Sequence, residues 1–155
     1  MATTTHERIG EQAILHRREF DASAATVQRA HTTAELFAQW MGPRGSRLRI
    51  EHFEARTGGR FDYTVEMGGD WRFWGSYHEV VDGRIVHTWE FQGEPGRPTL
   101  EVLDFRDLPD GRSVLEITST YASKEECDAM VASGLDGGMD EDFERLDEAL
   151  ARLAH

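Results

Sequence analysis

The chain has one cysteine, Cys127, in 155 residues, so no internal disulfide can form and a reducing, cytoplasmic setting is the simplest expectation. It is also short of positive charge, with 17 Lys and Arg against 29 Asp and Glu and a formal net charge of −12. Such a balance repels phosphate backbones and argues against nucleic-acid binding. No apolar run approaches the ~20 residues of a transmembrane helix, so membrane insertion is not expected. The opening MATTTHERIGEQ lacks the apolar stretch of a secretory signal and reads as a disordered arm over residues 1–12. Also missing are a nucleophile elbow G-x-S-x-G, a phosphate loop, an H-E-x-x-H zinc motif and a dinucleotide G-x-G-x-x-G. The seven histidines, at 6, 16, 31, 52, 78, 87 and 155, show no ligand spacing, and carboxylates are too numerous for any pair to stand out. The sequence therefore assigns no catalytic residue, no metal ligand and no cofactor.

What is present is globular: 39% apolar and 30% charged residues, enough for one core-bearing domain over residues 13–155. AILHRREFD (13–21) reads as a first strand. Two short helices follow, one near Ser23 to Ala30, the other opening at Thr32 with Glu35 completing a capping box. In the second, Leu36, Phe37, Trp40 and Met41 share one face, and Pro43 forbids continuation. From Arg47 the period changes to two. Segments 47–55, 60–67, 71–81, 84–92, 99–107 and 112–121 read as strands joined by tight turns such as Asp82-Gly83 and Asp110-Gly111, hence antiparallel. Ser123 and Glu126 form another capping box. Leu135, Met139, Phe143, Leu146, Leu150 and Leu153 then make a continuous apolar helix stripe. Gly134, Gly137 and Gly138 interrupt its start, as a break between two helical pieces or as a close approach to the sheet or a ligand. Ten acids but only Lys124 and Arg145 lie between Lys124 and Glu148, which reads as a solvated helix face.

The strands are rich in aromatics on alternating positions. Phe61 and Tyr63 share a face, as do Trp71, Phe73 and Tyr77, and as do His87, Trp89 and Phe91, with Leu103 on the strand after. Plain core explains each ring singly. One helix does not readily fill the concavity of so many strands, however, and bulky rings around a gap are what a small-molecule cavity is made of.

Four stretches carry a family resemblance: Leu36…Trp40-Met41-Gly42-Pro43, Gly58-Gly59-Arg60-Phe61, Gly75-Ser76-Tyr77-His78-Glu79-Val80 leading to Arg84-Ile85-Val86-His87-Thr88-Trp89, and Gly134-Leu135-Asp136-Gly137-Gly138-Met139 before Phe143. Over residues 13 to 153 the chain resembles the START-like, or SRPBCC, superfamily, in the branch named for the activator of the ninety-kilodalton heat-shock chaperone's ATPase. The resemblance implies an α+β helix-grip fold, a curved antiparallel sheet around a long C-terminal helix with a cavity between them. Met139 stands where the family commonly has tryptophan, a thioether in place of a rigid ring.

The expected function is binding of a small hydrophobic or aromatic molecule in that cavity, without turnover. The expected ligand-binding residues are Trp40, Phe61, Tyr63, Trp71, Phe73, Tyr77, His87, Trp89, Phe91, Leu103, Met139 and Phe143. One alternative is an enzyme on a small hydrophobic molecule, using His87 or a carboxylate as acid or base. Another is a chaperone-ATPase regulator docking through the acidic helix face. A homodimer is left open.

Overall fold

The computed structural model describes residues 3–154; Met1, Ala2 and His155 lie outside it. Eight strands form one antiparallel sheet: β1 (Thr5–Arg8), β2 (Ala13–Phe20), β3 (Arg47–Phe53), β4 (Arg60–Glu66), β5 (Asp70–Val81), β6 (Arg84–Phe91), β7 (Thr99–Asp107) and β8 (Ser113–Thr120). Their spatial order is β1-β2-β8-β7-β6-β5-β4-β3. Strands β3 to β8 form a meander, because each is tied to the next by a short turn. Strand β2 pairs directly with β8, and two helices, α1 (Ala24–Thr32) and α2 (Ala34–Phe37), carry the chain from β2 to β3 at the far edge of the sheet. Register breaks at Ile50/His52 in β3 and at Tyr77/Glu79 in β5 bend the sheet. The concave face holds α4 (Met139–Leu153), which buries Phe143, Leu146, Ala149 and Leu150. A shorter helix, α3 (Lys124–Ala132), precedes it, its N-terminus capped by the Ser123 hydroxyl accepting from the Glu126 amide. This is the helix-grip arrangement.

Trp40 locks the two small helices to the grip. It is almost fully buried, donates its indole N–H to the Ala30 carbonyl at 3.0 Å, and packs on His31, Phe37 and Phe143. The Gly42-Pro43 turn behind it docks on α4. Gly42 takes a left-handed φ of +96°, and its amide donates to Asp142 at 3.1 Å. The Arg145 guanidinium donates to the carbonyls of Gln39, Gly42 and Pro43, and the Arg44 amide donates to Glu141.

Several expectations are corrected. Residues 5–8 are not a free arm but an edge strand paired with β2, because polar side chains fasten it: Arg8 bonds the carbonyls of Gly10 and Glu11 and the Asp128 carboxylate. Thr32 does not open the second helix. It ends α1, its hydroxyl donating to the Gln28 carbonyl, and Thr33 takes the next cap position without a side-chain bond. The terminal helix begins at Met139 rather than Leu135. Gly134 and Leu135 have φ of +106° and +74°, and the Leu135 amide closes α3 onto the Met130 carbonyl at 3.0 Å. The glycines therefore mark a break between helices; a Cβ at Gly134 or Gly138 would meet nothing within 4 Å. Nor is the acidic segment simply solvated. Asp128, Asp140, Asp142, Asp147 and Glu148 each bond another element, at Arg8, His6, Gly42, Arg18 and Arg44.

Candidate functional site

Between the sheet and α4 lies a cavity of about 470 Å³, within the usual range for small-molecule sites. Its apolar wall comes from period-two alternation: Phe61 and Tyr63 on β4, Phe73 and Tyr77 on β5, Ile85 and Trp89 on β6, Leu103 on β7 and Ile117 on β8 all point inward. Trp40, in the turn after α2, and Phe143 on α4 close the other side, and Met139 lines it at the first residue of α4. Trp71, 48% exposed, and Met67, 47% exposed, stand at the mouth.

The rings support one another. Trp89 stacks on Phe73 with centroids 4.7 Å apart and donates its indole N–H to the Tyr63 hydroxyl at 3.0 Å. Phe61 lies across β4–β5 from Gly75, where a Cβ would meet the Phe61 ring at 2.5 Å and the Thr88 carbonyl at 1.9 Å. Glycine at that position lets Phe61 spread over the floor.

Eleven of the twelve expected binding residues line this one cavity. Phe91 does not. It shares the face of Trp89, but its ring packs behind Trp71 and Phe73, at 5.9 and 5.3 Å, and so backs the wall without forming it.

The sequence reading missed most of the polar lining. His16, His31, Thr99, Glu101, Ser119, Tyr121, Glu141 and Asp142 all border the cavity. Across neighbouring strands His87 faces Glu101 at 3.5 Å, and the Ser119 hydroxyl donates to the other Glu101 oxygen at 2.8 Å. The His87 Nδ1–H donates to the Thr88 carbonyl at 2.9 Å, which turns Nε2 toward Glu101. His31 is arranged alike, Nδ1–H donating to the Val27 carbonyl at 2.9 Å, and burial lowers its pKa to about 4. His16 is also lowered to about 4, by burial first and then by His6 beside it. Burial raises the Tyr63 and Tyr77 phenols and pushes Tyr121 up to about 12. It also pushes Asp142 up to about 7, partly offset by the Gly42 amide and Arg145. None of the described lining residues is lysine or arginine.

The comparisons agree with this architecture. The family model described as "Activator of Hsp90 ATPase homolog 1-like protein" matches residues 21–151. No curated protein matches. A crystal structure of a Rhodobacter sphaeroides protein has a TM-score of 0.88 at 24% identity, covering 97% of this chain and 99% of its own. A solution structure from Arthrobacter aurescens has a TM-score of 0.84 at 21% identity, covering 96% and 91%. A crystal structure from Mycobacterium smegmatis has a TM-score of 0.84 at 20% identity, covering 99% of both chains. At these identities the structures speak for the fold alone. With the family model spanning most of the sequence and the helix grip in place, the chain belongs to the activator of Hsp90 ATPase homolog 1-like family of the SRPBCC superfamily.

Proposed function

We propose that the protein binds a small hydrophobic or aromatic molecule in the cavity between sheet and α4, and does so without turnover. The observation that carries this reading is the aromatic-walled cavity of about 470 Å³, open at Trp71 and closed at depth by Trp40. An apolar ligand there removes its own surface and that of the rings from water, at ~25 cal/mol per Å². The reading of the acidic helix face as a chaperone-docking surface has less support, because many of its carboxylates are already bonded within the fold.

The test is titration with apolar and aromatic compounds, followed by tryptophan emission and thermal shift. Trp40, Trp71 and Trp89 all border the cavity, so occupation changes their emission. Trp89→Leu is expected to weaken binding by about 1–3 kcal/mol through lost area and stacking. If no compound moves either the emission or the melting temperature, the reading fails.

A further inference from the structure

One end of the cavity holds a chain of three side chains from three elements. Pairing of β1 with β2 sets His6 opposite His16. Their Nδ1 atoms lie 2.7 Å apart, and the other nitrogen of His6, Nε2, lies 2.9 Å from the Asp140 carboxylate in the first turn of α4. Asp140 is half exposed, the His6 side chain is 11% exposed, and His16 is 3% exposed and borders the cavity. The chain thus runs from solvent to the cavity wall. Nε2 of His16 has no hydrogen-bond partner among the described residues, yet it is not a sealed-off atom.

The direction of each bond follows from what each group can do. An ionised carboxylate only accepts, so His6 gives Asp140 its Nε2–H. When both rings are neutral, His6 carries its one N–H at Nε2 and its Nδ1 is an acceptor. In that state His16 supplies the Nδ1–H between the rings, and its own Nε2 is left as a bare lone pair on a ring that borders the cavity. The low pKa of His16 keeps that ring neutral at physiological pH.

We propose that His16, held in this tautomer by His6 and Asp140, is the polar recognition site of the cavity, and that it selects an aromatic ligand presenting a hydroxyl donor, a phenol, over the bare hydrocarbon or the carboxylate. This rests on the binding role proposed above and specifies the ligand class. The phenol O–H donates to His16 Nε2. Partial transfer of that proton is supported along the chain: as Nε2 gains a proton, His16 Nδ1–H passes to His6 Nδ1, and the resulting imidazolium is paired with Asp140. A carboxylate has no proton to offer, and it meets Glu101, Asp136, Glu141 and Asp142 on a lining without lysine or arginine. His6 and Asp140 are positioning residues, since they act through His16.

The experiment compares three probes of one shape, naphthalene, 2-naphthol and 2-naphthoate, on the full chain by fluorescence titration. The expected order is naphthol tightest, roughly three- to tenfold tighter than naphthalene as one neutral hydrogen bond gives, with naphthoate weakest. In His16→Leu the naphthol-to-naphthalene ratio falls to about one. Asp140→Ala, an exposed change on α4, lowers the ratio as well, and it serves where the His16 variant does not fold. The ratio normalises each variant against its own cavity, so a purely structural loss does not move it. Equal binding of naphthol and naphthalene by the wild-type chain overturns the proposal while leaving the binding role standing. So does a ratio that survives both substitutions, or naphthoate binding as tightly as naphthol. No binding of any probe removes the binding role and the proposal together.

Discussion

Asp142→Asn should stabilise the protein, and only at neutral and alkaline pH. Asp142 lies in the first turn of α4, where its carboxylate accepts the Gly42 amide at 3.1 Å against the Trp40 end of the cavity. Burial is the largest influence on it, and its pKa rises from 3.8 to about 7. The folded state therefore prefers the protonated acid. Below pH ~3 the group is protonated in both states and has almost no effect on stability. As pH rises, the unfolded chain ionises first, and folding increasingly carries the cost of keeping the proton or burying the charge. That cost is complete above pH ~7. Each pH unit between the two pKa values corresponds to ~1.4 kcal/mol, which sets an upper bound of about 4 kcal/mol. Asparagine keeps an oxygen for the Gly42 amide and never ionises. The variant should gain roughly 2–4 kcal/mol at pH 8 relative to wild type, or about 4–16 °C in Tm for a chain of this size, and almost nothing near pH ~3. Thermal melts of both proteins across that range measure the difference. A gap that stays constant with pH, or a variant less stable at pH 8, refutes the account of Asp142 as a partly buried, proton-holding acid.

Two further substitutions probe the grip and the floor of the cavity. Phe143→Ala removes the ring packed edge-on to Phe20 at 5.4 Å and against Trp40, and should cost about 3–5 kcal/mol in urea unfolding; a loss under about 1 kcal/mol would mean that α4 is not docked as described. Gly75→Ala drives a methyl into the Phe61 ring and the Thr88 carbonyl and should cost about 3 kcal/mol, with ligand-induced changes in tryptophan emission reduced; a neutral effect would show that the floor yields freely.

How much was legible in the sequence depended on whether a feature was local. The meander from Arg47 to Tyr121 was readable because alternation and turn dipeptides such as Asp82-Gly83 fix strands and hairpins within a few residues. Eight lining residues on the strands, from Phe61 to Leu103, followed from the same alternation, and Trp40, Met139 and Phe143 from helical spacing. The polar side of the cavity was not readable. His6 and His16 meet only through the β1–β2 register, and a polar first segment gave no sign of being a strand. Asp142 looked like one acid among ten; its contact with Gly42, 100 residues earlier, sets it apart. Leu135 matched the spacing of the helix stripe by sequence, yet its backbone lies in the left-handed region.

The segment joining α3 to α4 has a consequence for how relatives of this chain can diverge. Leu135, Asp136, Gly137 and Gly138 border the cavity, and this stretch is built from left-handed turns rather than from a strand or helix. Most of the remaining wall belongs to the sheet or to packed helices, where a change of shape disturbs the core that holds the protein together. Here the bounding surface is a connector whose length is independent of that core. One residue added or removed resizes the chamber at the end of α4 while the buried stripe of Phe143, Leu146 and Leu150 stays in register with the sheet. The size of the chamber at this end is thereby set apart from the core, and a lineage can reshape it without first having to survive a weaker fold.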